Sequence, residues 1–554
     1  MSNLIVDGAI EPPVVRTGRW RRGITALRNL TDARLAMILV LTLLGIYIAT
    51  MGGHTYAIDD EGYLAGAKAL VHHTTVMQPN PDIADTIFLV PHKNGLRTIM
   101  SPIGTLALFT PGVVAGKLFS LGFSGASREE AQRLVYLSTN SVLTAITAGL
   151  LFLLTRRLRA SRRAGLLLTI AFSLGSWAWP HSKTGFSEPG TALMLTATLL
   201  LLVRHWQRPT RWSPLWVGLL AGCVGLTRSS TLMFVPIFGL MCIIGLGRSD
   251  FLRSARVLAV FSLGGMAPAV AFCANSWLRF GSFFDPGYPP IAYSTPAAEG
   301  LFGLFLSPGK GLFWYAPISI AILFGLRLSF IAQGRYAVTA MMILAVHVSI
   351  YSRFSVWSGE AAFGPRYMLP LLPMLIALLS PVIDQGLQWW RGALVTTAIG
   401  IAIPGILGGS MYFNAVYSRN AAKVSSDIHL KNPDNEQVFI AWQFYPRSSQ
   451  LALYVQSVPL LIKTVSSRMT GHDDGMGPLV PEYQTRIFWY NNGIQPDYWW
   501  AWWSRRHNNP LAYVLLAVPA LLWGAAWQLC RSGQPRVRRA QMRDLAGPRT
   551  SIAG

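Results

Sequence analysis

Residues 134–163 read LVYLSTNSVLTAITAGLLFLLTRRLRASRR. The first 21 of them, 134–154, carry no charge. At about 1.5 Å per helical residue they are long enough to cross a hydrocarbon core of about 30 Å. Five arginines then follow within eight positions: Arg156, Arg157, Arg159, Arg162 and Arg163. An apolar run closed by a short basic loop marks a membrane helix that ends in the cytoplasm, because short loops rich in Lys and Arg are retained on that side.

The pattern recurs along the chain. Comparable apolar runs lie at 35–53, 190–203, 256–275, 311–326, 336–351, 367–383, 392–412 and 510–529, with a weaker one at 164–180. Stretch 214–246 is long enough for two short spans, broken near Thr227, Arg228 and Ser229. An all-α polytopic membrane protein of about twelve transmembrane helices is therefore expected, with both termini in the cytoplasm and surface helices in its first outer loop. The 554 residues are 52% hydrophobic and 13% charged, about half the usual charged share of a soluble domain.

A net charge of +23 raises the question of nucleic acid, and its distribution answers it. The segments 1–34, 155–164, 204–212, 248–256, 327–335, 384–391 and 530–554 hold 26 of the 47 Lys and Arg but 6 of the 24 Asp and Glu. The basic excess is thus a topology signal, and the basic tails suit anionic lipid headgroups rather than nucleic acid. Cys223, Cys242 and Cys273 fall inside expected spans and Cys530 at the end of the last one, so no disulfide framework is expected.

This topology divides the chain into a cytoplasmic basic tail 1–34, a transmembrane core 35–412 with a long first outer loop 52–133, an outer segment 413–509, a last helix 510–529 and a second basic tail 530–554. Within the first loop, 98–118 is apolar. A full span there would reverse every later loop and place the 156–163 arginines outside, so a membrane-surface or re-entrant element is expected. Trp499, Trp500, Trp502 and Trp503, beside Arg505 and Arg506, read as an interfacial aromatic belt, with a sugar-stacking platform as the sharper alternative.

Two groups of residues carry chemistry. Asp59, Asp60 and Glu61 open the first outer loop, next to Tyr63. Adjacent acids hold a proton more tightly than isolated ones, and a carboxylate there suits a general base acting on a hydroxyl. The alternative is a solvated loop, or a cap on the helix that follows. The second group is cationic: Arg228 in the break of 214–246, Lys310 in Ser307-Pro308-Gly309-Lys310-Gly311, Arg366 in Gly364-Pro365-Arg366-Tyr367, and His181 and Lys183 at the outer end of the third span, with Glu188 and Glu360 nearby in sequence. Cations at membrane depth are costly and mark function; gathered together they suit a phosphate. For each alone, the alternative is a side chain reaching back to the interface. No metal motif, P-loop or dinucleotide fingerprint is present, and the three acids leave a divalent ion as an open question.

These motifs resemble those of the GT-C superfamily of lipid-carrier-dependent glycosyltransferases, and most of all the group containing aminoarabinose lipid A transferases and protein O-mannosyltransferases. Asp60-Glu61-Gly62-Tyr63-Leu64 resembles the family's Asp-Glu motif after the first span. Thr98-Ile99-Met100-Ser101-Pro102-Ile103-Gly104-Thr105 resembles its surface segment, and Phe186-Ser187-Glu188-Pro189 its loop between the third and fourth spans. The Ser-Pro-Gly-Lys-Gly and Gly-Pro-Arg-Tyr segments resemble stretches of bacterial members. The resemblance covers 34 to about 412. It implies a polyprenyl-phosphate-linked sugar as donor and a glycan, lipid or protein hydroxyl as acceptor. It also implies an active site on the outer face of the bacterial inner membrane and an inverting attack, with Asp60 the favoured base, Glu61 second and Asp59 extending the pattern by one position, and the cations on the leaving phosphate. A lipid-linked saccharide transporter or flippase, using the same cations without chemistry, is the alternative.

Overall fold

A computed structural model describes residues 30–74, 76–77, 89–91, 97–244, 250–285, 287, 293–359, 362–386, 403–410, 442–469, 481–485, 487–490, 498–500 and 515–532. The helices of nine or more residues among them are α1 (Asp32–Thr50), α2 (Ile58–Val71), α3 (Ile103–Phe119), α4 (Gly125–Arg157), α5 (Arg162–Ser173), α6 (Glu188–Gln207), α7 (Ser213–Thr227), α8 (Val235–Ile243), α9 (Phe251–Phe280), α10 (Ala297–Phe305), α11 (Ile320–Tyr351), α12 (Gln450–Met469) and α13 (Ala517–Ser532). The helical membrane fold expected from sequence is present. Six stretches among the described residues are long and apolar enough to cross a membrane: Asp32–Thr50, Ile103–Gly122, Ser127–Arg157, Phe251–Phe280, Pro317–Tyr351 and Arg366–Gln385.

Burial sorts these helices by neighbour. The Arg366–Gln385 stretch is apolar on every side and 89% buried, the mark of a helix surrounded by protein. Its Leu371, Leu372, Met374, Leu375 and Ile376 join Leu151, Phe172, Leu195 and Tyr336 in the main core. By contrast α9 is 17% buried, and Leu263, Met266 and Val270 face outward, as lipid contact requires. One edge of α9 is closed by small residues. A Cβ at Gly218 of α7 would meet the Phe261 carbonyl, and one at Gly264 would meet the Leu215 carbonyl, so the two backbones approach because neither side carries bulk.

The run 214–246 divides at Arg228 as expected, whose extended backbone (φ −159°, ψ 115°) separates α7 from the turn leading to α8. The runs 311–326 and 336–351, expected as two spans with a loop at 327–335, lie in α11 and its lead-in, where two helices meet at a kink at Gln333 (φ −145°, ψ 48°), inside the expected loop and between Arg327 and Arg335. The first outer loop is also not purely helical. It holds a small antiparallel sheet of β1 (Val76–Met77), β2 (Leu89–Pro91) and β3 (Arg97–Ile99) in the order β1-β3-β2, with Thr98 opposite both Val76 and Val90. A second pair, β4 (Pro481–Thr485) and β5 (Ile487–Tyr490), lies near the C-terminus.

Helices α1 and α4 form an antiparallel pair matched at both ends. At one end Asp32 bridges Arg156 at 2.9 Å and Arg162 at 2.8 Å. At the other, Gly53 packs against Leu134. The chain from 53 to 125 therefore leaves and returns at the same end. Helix α3 lies along the first half of α4, Gly112 against Thr139 and Gly116 against Gln132, far from Arg156. Length and composition would allow α3 to cross.

Trp499 is 2% exposed, so it is no belt residue. Its indole donates to the Ile48 carbonyl at 2.7 Å and that of Trp500 to Ala49 at 3.0 Å. These are carbonyls of the last turn of α1, which a helix end leaves without partners. Trp502, Trp503, Arg505 and Arg506 lie outside the described residues.

Reporter fusions joined after His73 and after Gly122 are expected to read on one side of the membrane, and a fusion after Arg163 on the other. Opposite readings at His73 and Gly122 would mean that α3 crosses.

Candidate active site

Position along α2 decides what each acid does. Consecutive helical residues point about 100° apart, so Asp59, Asp60 and Glu61 face three directions. Glu61 forms a buried ion pair with Arg133 of α4 and accepts the Thr55 hydroxyl at 2.9 Å. Asp60 is fully buried. One of its oxygens accepts the Tyr56 N–H at 2.7 Å, and the other the Gly185 N–H at 3.0 Å. The first bond is a reach-back from the third residue of the helix, akin to a capping box. The second ties α2 to the loop 182–187. Asp59 points to Arg366, Oδ2 to Nη1 at 3.2 Å.

The loop 182–187 is clamped from both sides. Asn140 of α4 donates to the Thr184 carbonyl at 2.6 Å and to the Phe186 carbonyl at 2.8 Å, flanking the N–H that Asp60 accepts. Ser141 adds a bond to the Ser182 carbonyl at 2.9 Å. The clamp presents Phe186 and Glu188 to the cations. Glu188, its side chain 3% exposed at the start of α6, accepts Arg228 Nη1 at 2.9 Å and lies 4.0 Å from Arg366 Nε. Arg228 also donates to the Tyr351 hydroxyl at 2.6 Å and lies over the Tyr367 ring at 4.8 Å. The Arg366 guanidinium sits over Phe186 at 5.0 Å and Tyr367 at 4.9 Å, and its Nη2 donates to the Tyr367 hydroxyl at 3.0 Å.

Arg366 reaches this place through two glycines. Gly364 has φ +67°, and a Cβ there would meet the Tyr315 ring; Gly359 has φ +69°, and a Cβ there would meet the Arg366 side chain. L-residues rarely adopt this region. The Gly364 N–H donates to Gln450 Oε1 at 3.0 Å, and Gln450 Nε2 donates to the Ala362 carbonyl at 3.1 Å. The Lys310 ammonium caps the same Ala362 carbonyl, and Gly309 N–H bonds Gln443 at 3.2 Å. The segment 442–450 thus holds both cation-bearing loops.

Of the residues singled out from sequence, Asp59, Arg228, Arg366 and Glu188 meet in one constellation. His181 bonds the Phe363 carbonyl at 2.9 Å, and burial pulls it down to about 4, so it is neutral at pH 7. Lys310 sits one loop away from Arg366. Lys183 is fully buried within the clamped loop. Tyr63 packs with Phe109, ring centroids 6.1 Å apart, in the cluster that joins α2, α3 and α4. Glu360 lies outside the described residues. Among the described residues no three His, Cys, Asp or Glu gather as a metal would need, and the three divergent acids do not face one ion.

Sequence reasoning missed Asn140, Gln450, Tyr351 and Tyr367. Asn140 had a signal: an amide in a run without charge is costly unless paired. Gln450 had none, since nothing local marks its loop partners far upstream.

No protein-family model matches this sequence, and no curated protein sequence matches it. Among solved structures the chain is similar to ArnT from Cupriavidus metallidurans in the apo state, at 14% identity and a TM-score of 0.44, covering 82% of this chain and 83% of that one.

Burial is the largest influence on Asp60 and pushes it up to about 8 from an ordinary 3.8, against the pull of its two N–H donors. The folded chain then binds more protons than the unfolded chain between those values. The stability that Asp60 contributes is fullest below about pH 4 and is lost as the pH rises through about 8. Thermal melts in detergent from pH 5 to 9 are expected to fall with pH. Asp60→Asn flattens this dependence. It also lowers the baseline by about 1–3 kcal/mol, because an amide offers one acceptor where two N–H groups need one each. An unchanged slope in the variant would exclude Asp60 as its source.

Proposed function

We propose that the chain is an inverting glycosyltransferase of the inner membrane that moves a sugar from a polyprenyl-phosphate donor to a hydroxyl acceptor on the outer face. One observation carries this reading: Arg228 and Arg366, remote in sequence, converge on Glu188 beside the carboxylate of Asp59. Guanidinium pairs recognise phosphate oxygens through directed, charge-assisted bonds. The constellation lies toward the Arg133 and Asn140 end of α4, opposite Arg156 and Arg157, the end that the basic loops place in the cytoplasm. The Gly-Pro-Arg-Tyr and Phe-Ser-Glu-Pro segments that resemble the GT-C superfamily supply Arg366 and Glu188 to this same site, and Asp59 directly precedes the Asp-Glu pair.

In this reaction the acceptor hydroxyl gives its proton to a carboxylate as its oxygen attacks the anomeric carbon. The bond from that carbon to the phosphate oxygen breaks, and polyprenyl phosphate leaves with the electron pair. Arg228 and Arg366 stabilise the charge that gathers on the leaving oxygen, the larger electrostatic contribution. Asp59 is the base. Both oxygens of Asp60 are occupied by backbone N–H groups, and Glu61 is held by Arg133. The Asp59 side chain, 17% exposed, is open to an acceptor. The acceptor is a glycan, a lipid or a protein, and Lys310 and Lys183 contribute positive charge around the headgroup.

Purified protein in lipid nanodiscs, given radiolabelled polyprenyl-phosphate sugars and an envelope extract, is expected to transfer label. Asp59→Asn lowers the rate about 10²–10⁴-fold, the usual share of general base catalysis. Arg228→Ala and Arg366→Ala each weaken binding of polyprenyl phosphate about tenfold or more, as loss of a charged hydrogen bond does. Absence of both transfer and polyprenyl-phosphate binding in the wild type would sink the reading.

A further inference from the structure

We propose that Asp59 and the donor phosphate compete for Arg366, so that arrival of the donor releases the base. The inference rests on the reading above and deepens it. Asp59 has a single hydrogen-bond partner for its carboxylate among the described residues, Arg366 Nη1 at 3.2 Å. A carboxylate held this way is a poor acceptor for a hydroxyl proton. The resting site therefore carries its base masked.

Arg366 does not depend on Asp59 for its place. Its flat faces lie over Phe186 and Tyr367, its Nη2 bonds the Tyr367 hydroxyl, and its Nε approaches Glu188. The Nη1 edge is the one turned toward Asp59. The two acids are held differently. Glu188, 3% exposed, is bonded to Arg228 at 2.9 Å and lies 4.0 Å from Arg366 Nε; Asp59, 17% exposed, makes one bond, at 3.2 Å to the Nη1 edge of Arg366. A phosphate engages Arg228 and Arg366 together through several charge-assisted bonds where Asp59 makes one, and so outcompetes it.

The exchange makes the order of events a property of the site. Without donor, the acceptor meets a neutralised carboxylate. With donor bound, Arg366 is committed to the phosphate, and Asp59 is freed next to the anomeric carbon. When polyprenyl phosphate leaves, Asp59 returns to Arg366.

The test uses a short-chain polyprenyl phosphate without sugar, which binds and cannot react, with tryptophan fluorescence of full-length protein in nanodiscs as the readout. Asp59→Asn and Asp59→Ala are expected to bind it about threefold to fivefold more tightly than wild type, since each removes the carboxylate that competes for Arg366. Both lose transfer. A group that merely mounted Arg366 would give the opposite sign, weaker binding together with lost transfer. Weaker or unchanged binding in both variants overturns the exchange while leaving the donor site intact. A wild type that does not bind polyprenyl phosphate overturns the proposed function itself.

Discussion

A carboxylate taken out of water at the start of a membrane helix is stable only if opposite charge follows it in. Glu188, 3% exposed, has this requirement, and it is met by Arg228 and Arg366. Two guanidinium groups against Glu188 alone would leave one positive charge over, and Asp59 balances it. The cost of burying one acid is thus what brings two cations, remote in sequence, side by side. Tyr351 and Tyr367 complete the arrangement by giving the guanidinium faces aromatic cover, which discourages collapse onto the carboxylate alone.

The loop that presents Glu188 must itself be rigid, and its rigidity comes from buried polar bonds rather than apolar contact. Asn140 supplies two donors and Asp60 one acceptor to three consecutive residues, 184, 185 and 186. An amide and a carboxylate from different helices thus read the alternating C=O and N–H groups of one strand-like stretch. Loss of either leaves buried backbone groups unpaired, at about 1–3 kcal/mol each. On the far side, Gln450 performs the same service for residues 362 and 364. The two loops that carry Glu188 and Arg366 are therefore fixed by three side chains, Asn140, Asp60 and Gln450, that touch no charge in the constellation.

These supports explain what could be read from the sequence. Charge asymmetry and apolar length reveal the helical membrane fold because both follow from the cost of moving charge through lipid, a local property of each segment. The break at Arg228 and the glycines before Arg366 are visible for the same reason: each disrupts an apolar run. The kink at Gln333 is announced by Arg327 and Arg335 on either side of it, while what packs against it is not. Gln333 donates to the Leu378 carbonyl, a partner no local pattern marks. Gln450 was illegible on the same ground.

Asp59, Asp60 and Glu61 illustrate how one short motif divides into separate tasks. Read as a string, three acids suggest one shared proton or one bound ion. On a helix the 100° step sends each to a different neighbour. The middle residue faces the protein, where two N–H groups hold both of its oxygens and burial raises its proton affinity. The third faces Arg133 across α4. The first faces the cations and retains exposure. A carboxylate that accepts two structural N–H bonds cannot turn toward an acceptor without releasing the 182–187 loop, and with it Glu188. Asp59 can turn at the cost of one ion pair. The residue most firmly bound to the fold is thereby the one least suited to move a proton, and for that reason the proposed reaction takes its base one position earlier.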